Sequence, residues 1–129
     1  MNEQVEGKEY PPLRFVVDPE RVAAFARAID APDDGVPPTF VTAIEFTGFP
    51  AIMADPELGI DFSRVVHSEQ IYEFSRPLRV GETVVATARL ASIRHKGGHG
   101  FCAIETRVVD EEGAEVVTAR ATLLERGAG

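Results

Sequence analysis

The sequence predicts an α+β domain in which a curved antiparallel sheet wraps around one central apolar helix. Residues 39–46 are apolar on nearly every side, which is typical of a helix that is enclosed by other elements. From residue 65 the hydrophobic period changes from helical spacing to strict alternation, and it stays so almost to the end of the chain. The helix signal and the run of strand signals together favour this fold class.

Length and composition limit the number of domains and the class of protein. A chain of 129 residues allows one domain with one modest core, and we expect it to span residues 1–129, with residues 1–6 and 126–129 loose. The hydrophobic share of 44% and the charged share of 26% are those of a soluble globular protein. No apolar run approaches the ~20 residues of a membrane span, and the acidic, polar start of the chain does not resemble a signal peptide.

Charge and cysteine content restrict the partners and the compartment. The net charge of -8 argues against nucleic acid or an anionic membrane as the main partner, although local basic clusters leave an anionic ligand open. Cys102 is the single cysteine, so the chain has no internal disulfide. That fits the reducing cytoplasm, where we expect the protein to act.

The first half of the chain contains the helical signals. Leu13–Val17 is a short strand signal, and Asp18 then caps a helix whose first residue, Pro19, has the φ that a helix start requires. The apolar residues of this first helix recur at helical spacing on one face: Val22, Phe25, Ala26 and Ile29. An acidic loop at residues 30–38 leads to the central helix over Thr39–Phe46. Gly48-Phe49-Pro50 weakens that helix, and Ala51–Ala54 adds at most one more turn.

Four strands follow the central helix. The alternating segments cover about 65–75, 83–95, 100–110 and 114–125, and glycine-containing turns separate the last three. Small side chains recur on the predicted inner faces, as a sheet that curves tightly around a helix requires: Ala86, Ala88, Ala119 and Ala121.

Five short segments, in this order, carry a resemblance to a known family. They are Phe25–Ile29, Pro37–Phe40, His67–Gln70, Phe74–Glu82 and Asp110–Gly113. Over roughly residues 7–125 the chain resembles the MaoC-like (R)-hydroxyacyl thioester dehydratases, which have the hot dog fold. It is most similar to their N-terminal-half or non-catalytic-subunit branch, such as the mycobacterial (3R)-hydroxyacyl-acyl-carrier-protein dehydratase subunits.

The resemblance implies a substrate class and an assembly. The substrate would be an acyl thioester of coenzyme A or of acyl carrier protein, and no cofactor is implied. Hot dog domains pair side by side, so a homodimer or a heterodimer is expected. Catalytic members carry Asp-x-Asn-Pro-x-His before the central helix, whereas Asp30–Gly35 contains acids and no histidine. The resemblance thus assigns no catalytic residue to this chain, and a partner hot dog subunit would supply the Asp and the His.

The candidate substrate-binding residues are Thr39, Phe40, His67 and Gln70. Thr39 could cap the central helix, whose N-terminus could polarise a thioester carbonyl or simply be capped. His67 could be a hydrogen-bonding strand residue, a channel-lining residue or a proton carrier. By alternation, either Glu69 or Gln70 faces inward, and an inward polar group needs a hydrogen-bond partner.

Two further groups of residues have two readings each. The loop acids Asp30, Asp33 and Asp34 could include a carboxylate base or could form a solvated turn. The basic hairpin residues could meet a phosphate of coenzyme A or of a phosphopantetheine arm, or could be solvated: Arg94, His95, Lys96 and His99. The two histidines of that hairpin lack supporting ligands, so no metal site is predicted. Cys102 alternates toward the core and has no cationic neighbour that would make it reactive.

Three functions therefore stay open at the level of sequence. The chain is a dehydratase subunit that needs a catalytic partner, a self-sufficient homodimeric acyl-CoA hydratase or thioesterase that uses the loop acids and His67, or a module that binds acyl thioesters without turnover.

Overall fold

The structure is a computed structural model that describes residues 1–32 and 34–127. Within those residues, five antiparallel strands form one sheet in the order β1-β3-β4-β5-β2. This arrangement confirms the predicted α+β fold class. The helices and strands are β1 Leu13–Val16, α1 Pro19–Ala28, α2 Val41–Glu45, α3 Phe49–Met53, β2 Val65–Phe74, β3 Thr83–Lys96, β4 His99–Asp110 and β5 Glu115–Glu125.

The central helical segment is longer than the sequence indicates. Two 3-10 turns, Pro38–Phe40 and Phe46–Gly48, alternate with α2 and α3, so the backbone stays helical over residues 38–53. Gly48-Phe49-Pro50 was predicted to weaken or break the helix: the α-helical hydrogen bonding is interrupted by the 3-10 turn Phe46–Gly48, but the chain does not leave the helical path. Pro50 lies in the first turn of α3, directly after the 3-10 turn, where its missing N–H removes no hydrogen bond within α3.

The inner face of the sheet confirms the predicted alternation. All four predicted small residues are buried on that face: Ala86, Ala88, Ala119 and Ala121. Ile44 and Ile52 of the central segment are fully buried against it, in two core clusters that lie along the helical segment. A β-carbon on Gly48 would lie 3.6 Å from Cβ of Ala88, so the helical backbone approaches β3 closely. The small residues thus allow the helix to lie near the sheet.

The first helix begins as predicted and ends slightly early. The Asp18 carboxylate accepts a hydrogen bond from the Arg21 amide at 3.0 Å, and Pro19 is the first helical residue. Val22 and Ala26 are buried. Ile29 follows the last helical residue and is 48% exposed, so it departs from the predicted buried face.

The N-terminal segment is more ordered than the expected loose lead-in. We call residues 1–10 the N-terminal strap. The Gly7 amide donates to the Leu90 carbonyl at 2.7 Å, the Leu90 amide donates to the Lys8 carbonyl at 2.9 Å, and the Tyr10 amide donates to the Ala88 carbonyl at 2.9 Å. Because β1 pairs only with the first residues of β3, the strap pairs with the part of β3 that β1 leaves open.

At the other end of the chain, the Arg126 amide donates to the Arg64 carbonyl at 2.8 Å. The last two of residues 126–129, which we expected to be loose, lie outside the described residues. Among the residues that the structure describes, no helix is both long enough and apolar enough to cross a membrane.

Candidate functional site

A β-bulge in β2 determines which side chains face the central helix. His67 pairs with Leu123 and Glu69 pairs with Thr122, so Ser68 is an extra residue without its own partner. One extra residue reverses the alternation of a strand. As a result His67, before the bulge, and Gln70, after it, both point toward the central helix.

Gln70 is the inward member of the Glu69–Gln70 pair. Its side-chain amide donates to Glu45 Oε2 at 2.9 Å and to the Arg120 carbonyl at 3.2 Å. The inward polar residue thus has the hydrogen-bond partners that its position requires, one of them on the central helical segment. That partner lies near the end of α2 rather than at the helix N-terminus.

Glu45 is a buried carboxyl and the only charged residue of α2. Only 1% of the residue is exposed. Burial raises the pKa of this carboxyl, while the hydrogen bond from Gln70 and the nearby His67 act in the opposite direction. A carboxyl group of this kind holds its proton more firmly than a solvated one and is suited to general acid–base chemistry.

A tyrosine extends this polar cluster along the strand. The hydroxyls of Thr42 and Tyr72 are hydrogen-bonded across the seam between α2 and β2. Burial raises the pKa of Tyr72, and the charge of Glu45 acts in the same direction. We call Thr42, Glu45, Gln70 and Tyr72 the seam cluster.

An apolar groove lies beside the seam cluster. We call it the acyl groove for the hydrocarbon that it could hold. It measures about 540 Å³ and is lined by Phe46, Phe49, Pro50, Met53, Phe62, Val65, His67 and Leu123. The His67 and Phe46 rings are 6.0 Å apart, and Phe62 is 68% exposed at the edge. Among the described lining residues His67 is the only one that titrates, so the groove can bind a hydrocarbon chain and present one imidazole to it.

The structure separates the four predicted substrate-binding residues. His67 lines the acyl groove and Gln70 belongs to the seam cluster. Phe40 is 1% exposed and packs edge-on against Phe15 and Phe25, so it is part of the core. Thr39 lies exposed inside a 3-10 turn, and within the described residues no side chain caps either that turn or α2, which makes the predicted cap wrong.

The loop acids lie away from these features. Asp30 is exposed in a left-handed conformation with φ 55°, directly after the first helix, and Asp34 is also exposed. Asp33 lies outside the described residues. The described acids of this loop remain at the surface, as a solvated turn would place them.

The two histidines of the basic hairpin contact residues near the two ends of the chain. His95 Nδ1 lies 2.8 Å from Glu3 Oε1, and His99 Nδ1 accepts a hydrogen bond from the Gly127 amide at 3.0 Å. Both rings therefore already have partners at the chain termini. Cys102 is fully buried, and burial raises the pKa of its thiol to about 11, which keeps it in the unreactive thiol form.

Sequence reasoning missed Glu45. One signal could have identified it, since it is the single charged residue within the apolar run from Phe40 to Phe49. A charged residue in a helix that is enclosed on all sides must find a partner inside the protein.

Comparison with known proteins agrees with this architecture. Residues 32–119 match the family model of the FAS1-like dehydratase domain region. A UPF0336 protein of Streptomyces coelicolor is 34% identical over 145 residues, covering 99% of this chain and 97% of the relative. The aligned region is longer than this chain, so the relative contains residues that have no counterpart here.

Solved structures share the fold. The HadBC (3R-hydroxyacyl-ACP dehydratase) complex of Mycobacterium tuberculosis superimposes with a TM-score of 0.81 at 22% identity, covering 93% of this chain and 96% of that one. The (R)-hydratase of A. caviae involved in PHA biosynthesis gives a TM-score of 0.64 at 22% identity, covering 95% and 96%. The chain therefore has the hot dog fold and belongs to the FAS1-like dehydratase domain family.

Proposed function

We propose that this chain is a subunit of an (R)-specific 3-hydroxyacyl thioester dehydratase or hydratase. It supplies the acyl groove, and a second hot dog subunit supplies the Asp/His dyad. The observation that carries the proposal is the pairing of an apolar groove that holds only one titratable residue with a loop, Asp30–Gly35, that contains no histidine.

The reaction requires two proton transfers, which a dyad can divide between two groups. Dehydration removes a proton from C2 of the hydroxyacyl thioester and expels the C3 hydroxyl as water, leaving an enoyl thioester. One group must accept the C2 proton, and a proton must reach the departing oxygen. His67 alone, at the exposed edge of the acyl groove, does not provide both groups.

The acyl groove supports the binding part of this role. Burial of hydrocarbon stabilises a complex by about 0.8 kcal/mol for each methylene group. Phe46 and Phe49 form one wall, with ring centroids 4.8 Å apart, and β2 and β5 form the other. A thioester acyl chain lying there would pass His67 at the edge of the groove.

The unpaired edge of β2 supports the proposal that a second hot dog subunit binds to this chain. No strand of the described residues pairs with β2 on the side away from β5. Val66, Ile71 and Phe74 of this strand are exposed apolar residues. A second sheet that added to this edge would satisfy the backbone groups and cover the apolar side chains. The partner would carry the Asp-x-Asn-Pro-x-His motif.

One observation favours a second candidate, the self-sufficient homodimeric hydratase. Glu45 and His67 lie close enough for the imidazole to influence the carboxyl pKa, so they are a candidate acid–base pair, of which only His67 lines the acyl groove. The sequence assigned this role to the loop acids with His67; the exposed positions of Asp30 and Asp34 make the buried Glu45 carboxyl the better second group.

The test is a hydration assay on enoyl thioesters of coenzyme A and of acyl carrier protein. We expect little turnover by the chain alone and turnover after addition of a partner with the intact motif. A partner with its motif histidine replaced is the control and should restore nothing. Robust turnover by the lone chain that is lost in both Glu45→Gln and His67→Ala would establish the second candidate. Thioester binding without turnover in either mixture would leave a binding module.

A further inference from the structure

A second cavity lies on the other side of the central helix, away from the acyl groove. It measures about 140 Å³ and lies between the helical segment and the strands β3 and β4, whereas the acyl groove borders β2 and β5. Small residues make the space: Gly48, Ala86 and Ala88. We call it the Glu45 cavity.

Two buried polar residues contribute to the wall of this cavity. Glu45 and Thr106 are each 1% exposed. Glu45 Oε1 and Thr106 Oγ1 have no hydrogen-bond partner among the described residues. An unpartnered buried polar group costs about 1–3 kcal/mol, so two such groups in one cavity wall indicate an occupant that satisfies them.

The wall restricts the chemical class of that occupant. Its described residues include no lysine or arginine that could neutralise an anion. Burial raises the pKa of Glu45, which disfavours the carboxylate that a cation would need. A hydroxyl group fits, because it can donate to one oxygen and accept from the other.

The other lining residues are apolar apart from Thr47 and Tyr10, whose hydroxyls already donate to the Ile44 carbonyl and to Asp55. Ile44 lies deep inside. A dry cavity of about 150 Å³ is large enough for benzene. Pro11, Leu13 and Ala51 are exposed lining residues and mark the entrance.

We propose that the Glu45 cavity binds a compact, uncharged ligand of about benzene size that carries a hydroxyl group, and that the hydroxyl lies between Glu45 and Thr106. The site is separate from the acyl groove, so it does not depend on the proposed dehydratase function.

The first experiment compares phenol with benzene by amide NMR titration of the full chain. We expect saturable phenol binding, with the largest shifts at Gly48, Ala88 and Thr106. Benzene should bind about fivefold more weakly or worse, because it leaves the two oxygens unsatisfied. Equal affinity for the two probes, or no saturable shift for phenol, would overturn the proposal.

Substitutions in the cavity wall test where the hydroxyl group of the ligand lies. Thr106→Val replaces the hydroxyl by a methyl of similar size, and it should weaken phenol binding about fivefold while leaving benzene nearly unchanged. Thr118→Val, on the half-buried face of β5, is the matched control and should change neither. If Thr106→Val binds phenol as tightly as the control does, the assignment is wrong.

Two further variants separate binding from folding. Glu45→Gln keeps a hydrogen-bonding side chain and should retain phenol binding, whereas Glu45→Leu should lose it. Ala88→Leu fills the cavity and should abolish binding of both probes. Should Glu45→Leu fail to fold, Thr106→Val and Ala88→Leu decide the matter. A crystal soaked in phenol that contains only water in the cavity would also overturn the proposal.

Discussion

Glu45 couples the stability of this protein to pH. Its burial raises the carboxyl pKa, so the folded protein holds the proton at a pH where the unfolded chain has released it. In the range above the ordinary glutamate pKa and up to the raised value, the folded state binds more protons than the unfolded state does. The contribution of Glu45 to stability is therefore fully present below that range and decreases as the pH rises through it.

Replacement of Glu45 by glutamine should remove this pH dependence. We expect the free energy of unfolding of Glu45→Gln to exceed that of the unsubstituted protein by more at pH 8 than at pH 4, because the amide never ionises. Urea denaturation at both pH values measures the difference. Glu20→Gln, at an exposed position of α1, is the control and should show no such trend. A pH-independent difference for Glu45→Gln would contradict the expectation.

Asp55 behaves in the opposite way. Its carboxylate accepts hydrogen bonds from Lys8 Nζ and from the Tyr10 hydroxyl, both at 2.7 Å, and these contacts lower its pKa to about 2. A lowered pKa means that the stabilisation is present above the ordinary aspartate range and is lost as the pH falls toward about 2.

Asp55→Asn should therefore weaken the attachment of the strap near neutral pH. We expect a loss of about 1–2 kcal/mol in the free energy of unfolding at pH 7, and almost no difference from the unsubstituted protein near pH 2. Thermal unfolding followed by circular dichroism at the two pH values tests this. Glu57→Gln, whose side chain is 67% exposed and 3.5 Å from Lys8, should cost less than about 0.5 kcal/mol.

At the scale of elements, the two-residue repeat of strands and the helical repeat are both visible in the positions of the apolar residues. These repeats therefore predicted the sheet and its inner face. The bulge in β2 was not predictable, since the segment from His67 to Gln70 is entirely polar and carries no apolar alternation that an extra residue could interrupt. The strap was missed because its backbone hydrogen bonds to β3 leave no side-chain pattern, and because Lys8 and Tyr10 meet Asp55, a residue far away in the sequence. The seam cluster depends on both the bulge and the helix position, so the sequence indicated only that Glu69 or Gln70 would need a partner.

Deletion of the extra residue in the bulge should destabilise the protein more than replacement of its side chain. Deletion of Ser68 restores continuous alternation, so either His67 or Gln70 must turn away from the central helix. We expect the deletion to lower the free energy of unfolding by about 2–4 kcal/mol. Ser68→Ala, which loses only an exposed hydrogen bond to the Thr122 carbonyl, should cost less than about 1 kcal/mol. Equal costs in urea denaturation would show that the extra residue is not needed.

At the scale of the whole molecule, the open edge of β2 predicts self-association of the isolated chain. Ile71 is 42% exposed on this edge strand, and a lysine there would place a charge in the joint between two sheets. We expect the unsubstituted chain to be a dimer at micromolar concentration by light scattering, and Ile71→Lys to shift it toward monomer. Val16→Lys, at a 55% exposed position on the opposite edge strand, is the control and should stay dimeric. A monomeric unsubstituted chain would contradict the prediction.

The strap has a consequence for how far such association can extend. It covers the part of β3 that β1 leaves open, and β1 itself offers only four residues of edge. A protein with one long unpaired sheet edge forms a closed dimer through that edge. A protein with two such edges can add copies without limit and grow into a fibre. Because the strap pairs with this second edge, we expect assemblies of the chain to stop at a small number of copies and not to grow into fibres.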